Sequence, residues 1–159
     1  MILLALAAFT SVYTELNLAA CEVLNGGDEW GVASRRCPGH AGTRLYVNVD
    51  DDRFDLDAGI DNDRWESLDG LNRIAPRVEW RMDGGTPRAV IYRYLLAGAD
   101  GPGGTVLAVE TVGRVGAPGC LVALIGGGVP RANEVARARA DAGARFRCGV
   151  DPVARQGVP

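Results

Sequence analysis

The sequence predicts an α+β fold: an antiparallel sheet of about six strands, a meander of hairpins, with one long C-terminal helix packed on one face. Three observations predict it. Apolar and polar residues alternate through residues 45–58 and 77–96, and each block is broken by an aspartate- or glycine-bearing turn. Strand-like segments follow one another without intervening helices, which argues against a parallel sheet. The one long helical periodicity comes last, after Pro130.

The elements follow in order. Residues 2–9 (Ile-Leu-Leu-Ala-Leu-Ala-Ala-Phe) read as the apolar core of a secretory signal, too short to span a bilayer. The basic stretch that precedes such a core is missing, which suggests a start site upstream of Met1. Residues 1–12 are therefore assigned to a signal peptide, with cleavage near Thr10–Tyr13. Tyr13–Cys21 is short and amphipathic, a first strand or a turn of helix. Residues 25–31 are loop chemistry, and Cys37-Pro38-Gly39 is a turn.

Leu45, Val47 and Val49 form one face of a strand. After the turn at Asp50-Asp51-Asp52, Phe54, Leu56 and Ala58 form the apolar face of its return, leaving Asp55 and Asp57 toward solvent. In the second hairpin Val78, Trp80 and Met82 alternate with Arg77, Glu79 and Arg81. Asp83-Gly84-Gly85 turns the chain, and Val90, Tyr92, Tyr94 and Leu96 share the face of the return strand. Thr105–Val112 and Cys120–Ile125 complete the sheet. Residues 60–75 interrupt the strands with a short helix expected around Asp63–Leu68.

In the terminal helix Ala132, Val135, Ala136, Ala142 and Phe146 share one face, with Arg131, Glu134, Arg137, Asp141 and Arg145 opposite. Arg139 falls on the apolar face, where an unpaired guanidinium is costly, so it must snorkel, pair or bind a ligand. Residues 13–150 then make one domain, and 151–159 a flexible tail.

Size and charge narrow the function. At 159 residues the chain suits a single domain with a real core. A net charge of −3 leaves no basic footprint for nucleic acid. All 17 cationic side chains are arginine, so a Walker lysine, a Schiff-base lysine and a Ser–Lys pair are excluded. No later segment is apolar enough to cross a membrane as a helix.

In an exported chain, an even number of cysteines reads as disulfides. Cys21, Cys37, Cys120 and Cys148 allow three connectivities. The local pairing, Cys21–Cys37 and Cys120–Cys148, is preferred because each pair flanks a structural unit. The chain-entropy model assigns these loops roughly 3 and roughly 3.5 kcal/mol. Zinc would require ligands that CxxC spacing and neighbouring histidines supply, and only His40 lies near a cysteine. Leu18-Ala19-Ala20-Cys21 fits a lipoprotein cleavage pattern, but polar residues including Glu15 separate it from the apolar core.

Tyr13-Thr14-Glu15-Leu16 with Cys21, Cys37-Pro38-Gly39 with Gly42 and Tyr46, and Glu79-Trp80-Arg81 form a recognisable series. Ala89-Val90-Ile91-Tyr92-Arg93-Tyr94, Ala132-Asn133-Glu134-Val135-Ala136-Arg137 and Phe146-Arg147-Cys148-Gly149 continue it. The series resembles a family of small, exported bacterial proteins with four cysteines and no established activity. The resemblance implies a periplasmic setting and places Cys21 inside the folded domain. It brings no catalytic residue.

Several constellations remain as candidate sites. Asp50, Asp52 and Asp55, within a longer acidic run, form a weak calcium alternative, though the spacing fits no EF-hand. Gly126, Gly127 and Gly128, between a strand and a helix, have the ingredients of an anion cradle to which Arg131 and Arg139 would add charge. Cys37 with His40 resembles a nucleophile and base, but an oxidised Cys37 cannot attack. Glu79, Glu110 and Glu134 with the aspartates could pair for glycoside hydrolysis. Trp80, Tyr92 and Tyr94 read as core, and Trp30 and Trp65 as surface aromatics.

With one histidine and three serines, a Ser–His–Asp triad has few ways to assemble. The expectation is an exported, periplasmic or secreted domain, without a cofactor and more a binding module than an enzyme, for a protein or envelope component. The alternative is an envelope small-ligand-binding protein or hydrolase using an arginine–carboxylate site near the glycine loop.

Overall fold

The computed structural model describes residues 8–27, 29, 31–98 and 101–159, without the side chains of residues 101 and 102. Most of the expected leader and Trp30 lie outside the described residues. The strands are β1 (Thr10–Glu15), β2 (Glu22–Asn25), β3 (Ala33–His40), β4 (Thr43–Asp50), β5 (Arg53–Ala58) and β6 (Asn72–Ile74). They continue with β7 (Arg77–Asp83), β8 (Thr86–Gly98), β9 (Gly101–Thr111), β10 (Leu121–Gly126) and β11 (Ala154–Gln156). Among the described residues one α-helix, α1, spans Ala132–Asp141.

These strands make two sheets, where the sequence suggested one of about six strands. The larger has seven strands in the order β1-β7-β8-β9-β10-β11, with β6 against β8; the smaller has four, β2-β3-β4-β5. All pairings are antiparallel except β10–β11. The α+β class therefore stands. A pattern with period two locates strands but not the points at which the chain leaves one sheet for the other; it crosses from β1 to β2 over 16–21 and back from β5 to β6 over 59–71.

The large sheet is covered on both faces. Toward the small sheet, Val78, Trp80, Val90, Tyr92, Tyr94, Val106 and Ala108 pack with Leu45, Val47, Leu56 and Ala58. Toward α1, Ala89, Ile91, Leu107, Val109, Val122 and Ile125 pack with Ala136 and Ala140. The arrangement is three layers: small sheet, large sheet, helix. Period two accounts for both faces, because successive side chains alternate across a strand. The aromatic residues Trp80, Tyr92 and Tyr94 are core, as their phase requires; the Trp80 indole N–H donates to Thr14 Oγ1 at 2.7 Å.

Both hairpins form at the expected turns. Asp51 and Asp52 take positive φ of 50° and 53° between β4 and β5, and Gly84 takes φ 58° between β7 and β8. Asp55 and Asp57 do not face solvent, however; each is 1% exposed. Residues 60–71 fold back over that face of β5 as irregular chain, where a short helix over Asp63–Leu68 was expected. Ser67 Oγ donates to the Phe54 carbonyl at 2.5 Å, and the Phe54 N–H donates to Asn72 Oδ1 at 3.0 Å.

Two further expectations change. Thr10–Val12, assigned to the leader, pair with Met82–Trp80 as part of β1. Residues 151–159, expected as a flexible tail, include β11, which adds to the sheet beside β10. Pro130 lies just before α1; Arg131 is the N-cap, with φ 56°, and Ala132 the first helical residue.

The disulfides are Cys21–Cys37 and Cys120–Cys148, the local pairing. The first ties the entry of β2 to β3. The second ties the segment after α1 to the start of β10. Cys21 is therefore no lipid anchor, and Cys37 no nucleophile for His40, which lies beside Trp80 with ring centroids 6.1 Å apart.

Candidate functional site: an arginine-lined pocket beside the helix

On β7, Arg77, Glu79 and Arg81 occupy the face opposite Val78 and Trp80, the face that period two marks as polar. That face is turned toward α1, so Glu79 and Arg81 are buried. From α1, Arg137 and Asp141 reach down to meet them. Arg137 Nε donates to Glu79 Oε1 at 2.6 Å, and Nη2 to Oε2 at 3.4 Å. Arg81 grips Asp141 with two parallel bonds, Nε to Oδ1 at 2.7 Å and Nη2 to Oδ2 at 2.8 Å. Such a fork fixes orientation as well as charge.

Ser11 of β1 closes the network. Its hydroxyl donates to Glu79 Oε1 at 2.5 Å and accepts from Arg81 Nη1 at 2.6 Å. The bond to Asp141 raises the Arg81 guanidinium above its ordinary pKa, and the bond to Glu79 does the same for Arg137. Two carboxylates and two guanidiniums thus cancel within the network.

A cavity of about 350 Å³ opens beside it, lined by Tyr13, Arg77, Glu79, Arg93, Asn133 and Arg137 among others. Arg77 lies over the Tyr13 ring, 4.1 Å from the centroid, and the Tyr13 hydroxyl accepts from Arg137 Nη2 at 3.0 Å. Arg93 Nη1 donates to Thr105 Oγ1 at 3.0 Å and Nη2 to Asn133 Oδ1 at 3.4 Å. Among the described residues neither Arg77 nor Arg93 pairs with a carboxylate. The pocket therefore carries an excess of two positive charges, on side chains already oriented by a ring stack and by neutral oxygens.

The other candidate sites are not assembled. Arg139 is exposed and lines a different cavity with Phe146 and Pro152. Its guanidinium therefore snorkels from the edge of the buried stripe, which centres on Ala136 and Ala140. Arg131 is exposed and pairs with Glu134. In the glycine loop the Gly127 N–H already donates to the Thr105 carbonyl at 2.8 Å. A side chain on Gly126 would meet the Gly157 carbonyl oxygen at 1.9 Å, so the C-terminal segment presses on the loop.

Asp50 and Asp52 lie at the β4–β5 turn, whereas Asp55 is buried, and no cluster suited to a metal ion occurs among the described residues. Glu79, Glu110 and Glu134 lie beside α1, between the sheets and on the surface respectively, apart from one another; Glu110 meets Asp55 and Asp57, but all three are sealed from solvent at 1% exposure. Trp65 is 43% exposed.

The residues that do converge were legible only as two polar faces, one on a strand and one on a helix. Their charges are complementary, Glu79 to Arg137 and Arg81 to Asp141, and that was the available signal. Comparison with protein-family models, curated proteins and solved structures finds no match. The pocket's own chemistry has to carry the functional reading.

Proposed function

We propose that this is an exported binding domain that holds an anionic group, a carboxylate or phosphate of a protein or envelope component, in the pocket of Arg77, Arg93 and Arg137. The observation that carries the reading is the pair of oriented guanidiniums, Arg77 and Arg93, without a carboxylate partner among the described residues, on a protein of net charge −3. Guanidinium forks match the planar, bidentate geometry of carboxylate and phosphate. Glu79 supports binding over catalysis, since both of its oxygens already accept from Arg137. Two disulfides fit an oxidising compartment, periplasmic or extracellular. A leader removed before Thr10 would leave β1 intact.

Titration calorimetry with inorganic phosphate and with succinate at low salt tests the proposal. Binding should weaken at least about tenfold in Arg77→Gln/Arg93→Gln, the order expected for losing charge-assisted hydrogen bonds. Absence of binding to both anions, or equal binding by the double variant, would refute it.

A further inference from the structure

Three carboxyl groups are sealed where the small sheet meets the large one. Asp55 and Asp57 on β5 and Glu110 on β9 are each 1% exposed. Backbone amides reach one oxygen of each: Glu66 N–H to Asp55, Asn62 N–H to Asp57 and Ala58 N–H to Glu110, all at 3.3 Å. The other oxygens, Asp55 Oδ2, Asp57 Oδ1 and Glu110 Oε2, are buried without any partner. Asp57 and Glu110 also lie within hydrogen-bonding reach of each other.

Among the described residues the surroundings supply no paired counter-charge. Asp61 and Glu66 face the cluster from the covering segment; Glu66 accepts from the Leu121 N–H at 3.0 Å, and Asp61 from Asn48 Nδ2 at 3.4 Å. Tyr46 and Asn48 stand opposite Asp57 and Asp55 on β4. Tyr92 and Tyr94 approach from β8. Arg53, on the same face of β5, lies 5.9 Å from the Trp65 ring centroid, and no arginine pairs with the three acids among the described residues.

Ionised, these acids would be charges in a dry interior with orphaned acceptors, a costly state. A bound proton removes charge and supplies the missing donor at once.

We propose that Asp55, Asp57 and Glu110 form a proton-held latch between the two sheets, closed while the acids keep their protons and loosened when alkali removes them. Burial first, then repulsion from Glu66 and Asp61, pushes Asp55 up to about 7; burial and the Asp55 charge push Asp57 up to about 8, and burial with Asp57 and Asp55 holds Glu110 well above its usual range. The sign follows. In the unfolded chain these acids lose their protons near their ordinary values, about 4. Between there and the raised folded values the folded state holds more protons, so stability falls as pH rises through that window. The loss is complete once the folded acids ionise.

Urea unfolding of the oxidised protein at a series of pH values between 5 and 8 tests the latch. For each extra proton the folded state holds, the unfolding equilibrium constant rises about tenfold per pH unit. At least one such proton is expected between pH 5 and 7, and a flat or falling constant would overturn the proposal. Asp57→Asn should flatten the dependence by about one proton, while Glu134→Gln, at the exposed Arg131 pair, should leave it unchanged; the opposite pattern also counts against the latch.

Should Asp57→Asn fail to fold, the wild-type infrared spectrum at pH 6 decides. A protonated carboxylic-acid carbonyl band supports the latch, and its absence overturns it. Millimolar calcium that restored stability at pH 8 would mean that the orphaned oxygens hold a cation instead.

Discussion

Glu79→Gln keeps the shape of the side chain beside α1 and removes its charge. Glu79 accepts from Arg137 at 2.6 and 3.4 Å and from Ser11 at 2.5 Å, and lies 4.0 Å from Arg81. Removing one partner of a fully buried pair costs about 3–5 kcal/mol, most of it the uncompensated charge left behind. Two features reduce that figure here. The Arg137 side chain is 35% exposed, so water screens it, and Arg81 keeps its fork to Asp141. A loss of about 2 kcal/mol is expected, which for a domain of this size lowers Tm by about 4–8 °C. Urea denaturation at pH 6 with the disulfides intact measures it. A double-mutant cycle with Arg137→Gln should return a coupling above about 0.5 kcal/mol, since neighbours in one network are not additive. A loss under about 0.5 kcal/mol together with zero coupling would show that the network carries no stability.

Two other substitutions test the frame. Gly59 has φ +87°, and a Cβ there would stand 2.1 Å from the Gly113 carbonyl oxygen, so Gly59→Ala should cost more than about 2 kcal/mol in urea unfolding. An unchanged midpoint would contradict the close approach of the β5 exit to the chain after β9. Cys120→Ser/Cys148→Ser opens a loop of sequence separation 28 and should cost roughly 3.5 kcal/mol on the chain-entropy model. Intact-mass analysis of the parent protein should show no free thiol before reduction.

Much of the fold was legible because it is local. The turn at Asp51-Asp52 and the turn at Gly84 need positive φ at fixed positions, and the flanking alternation places both hairpins. Local cysteine pairing and the terminal helix are equally short-range. The candidate site was legible only in fragments. Glu79 and Arg81 stood on one polar face, Arg137 and Asp141 on another, and both faces looked solvated. The arginines expected to matter, Arg131 and Arg139, are both exposed.

By itself the sequence determined the strands of both hairpins, the aromatic core of Trp80, Tyr92 and Tyr94 and the helix, and it narrowed the cysteine pairing to three connectivities, of which the structure forms the local one. Periodicity assigns a residue to one side of its element, and short-range sterics set the turns. Only the tertiary structure decided what covers each side. Whether Asp55 and Asp57 meet water or the 60–71 segment, and whether Glu79 meets water or α1, depends on chain returning from far along the sequence. That return turns apparent surface charges into a buried acid cluster and an arginine-lined pocket, because a charge's cost and use depend on the medium around it.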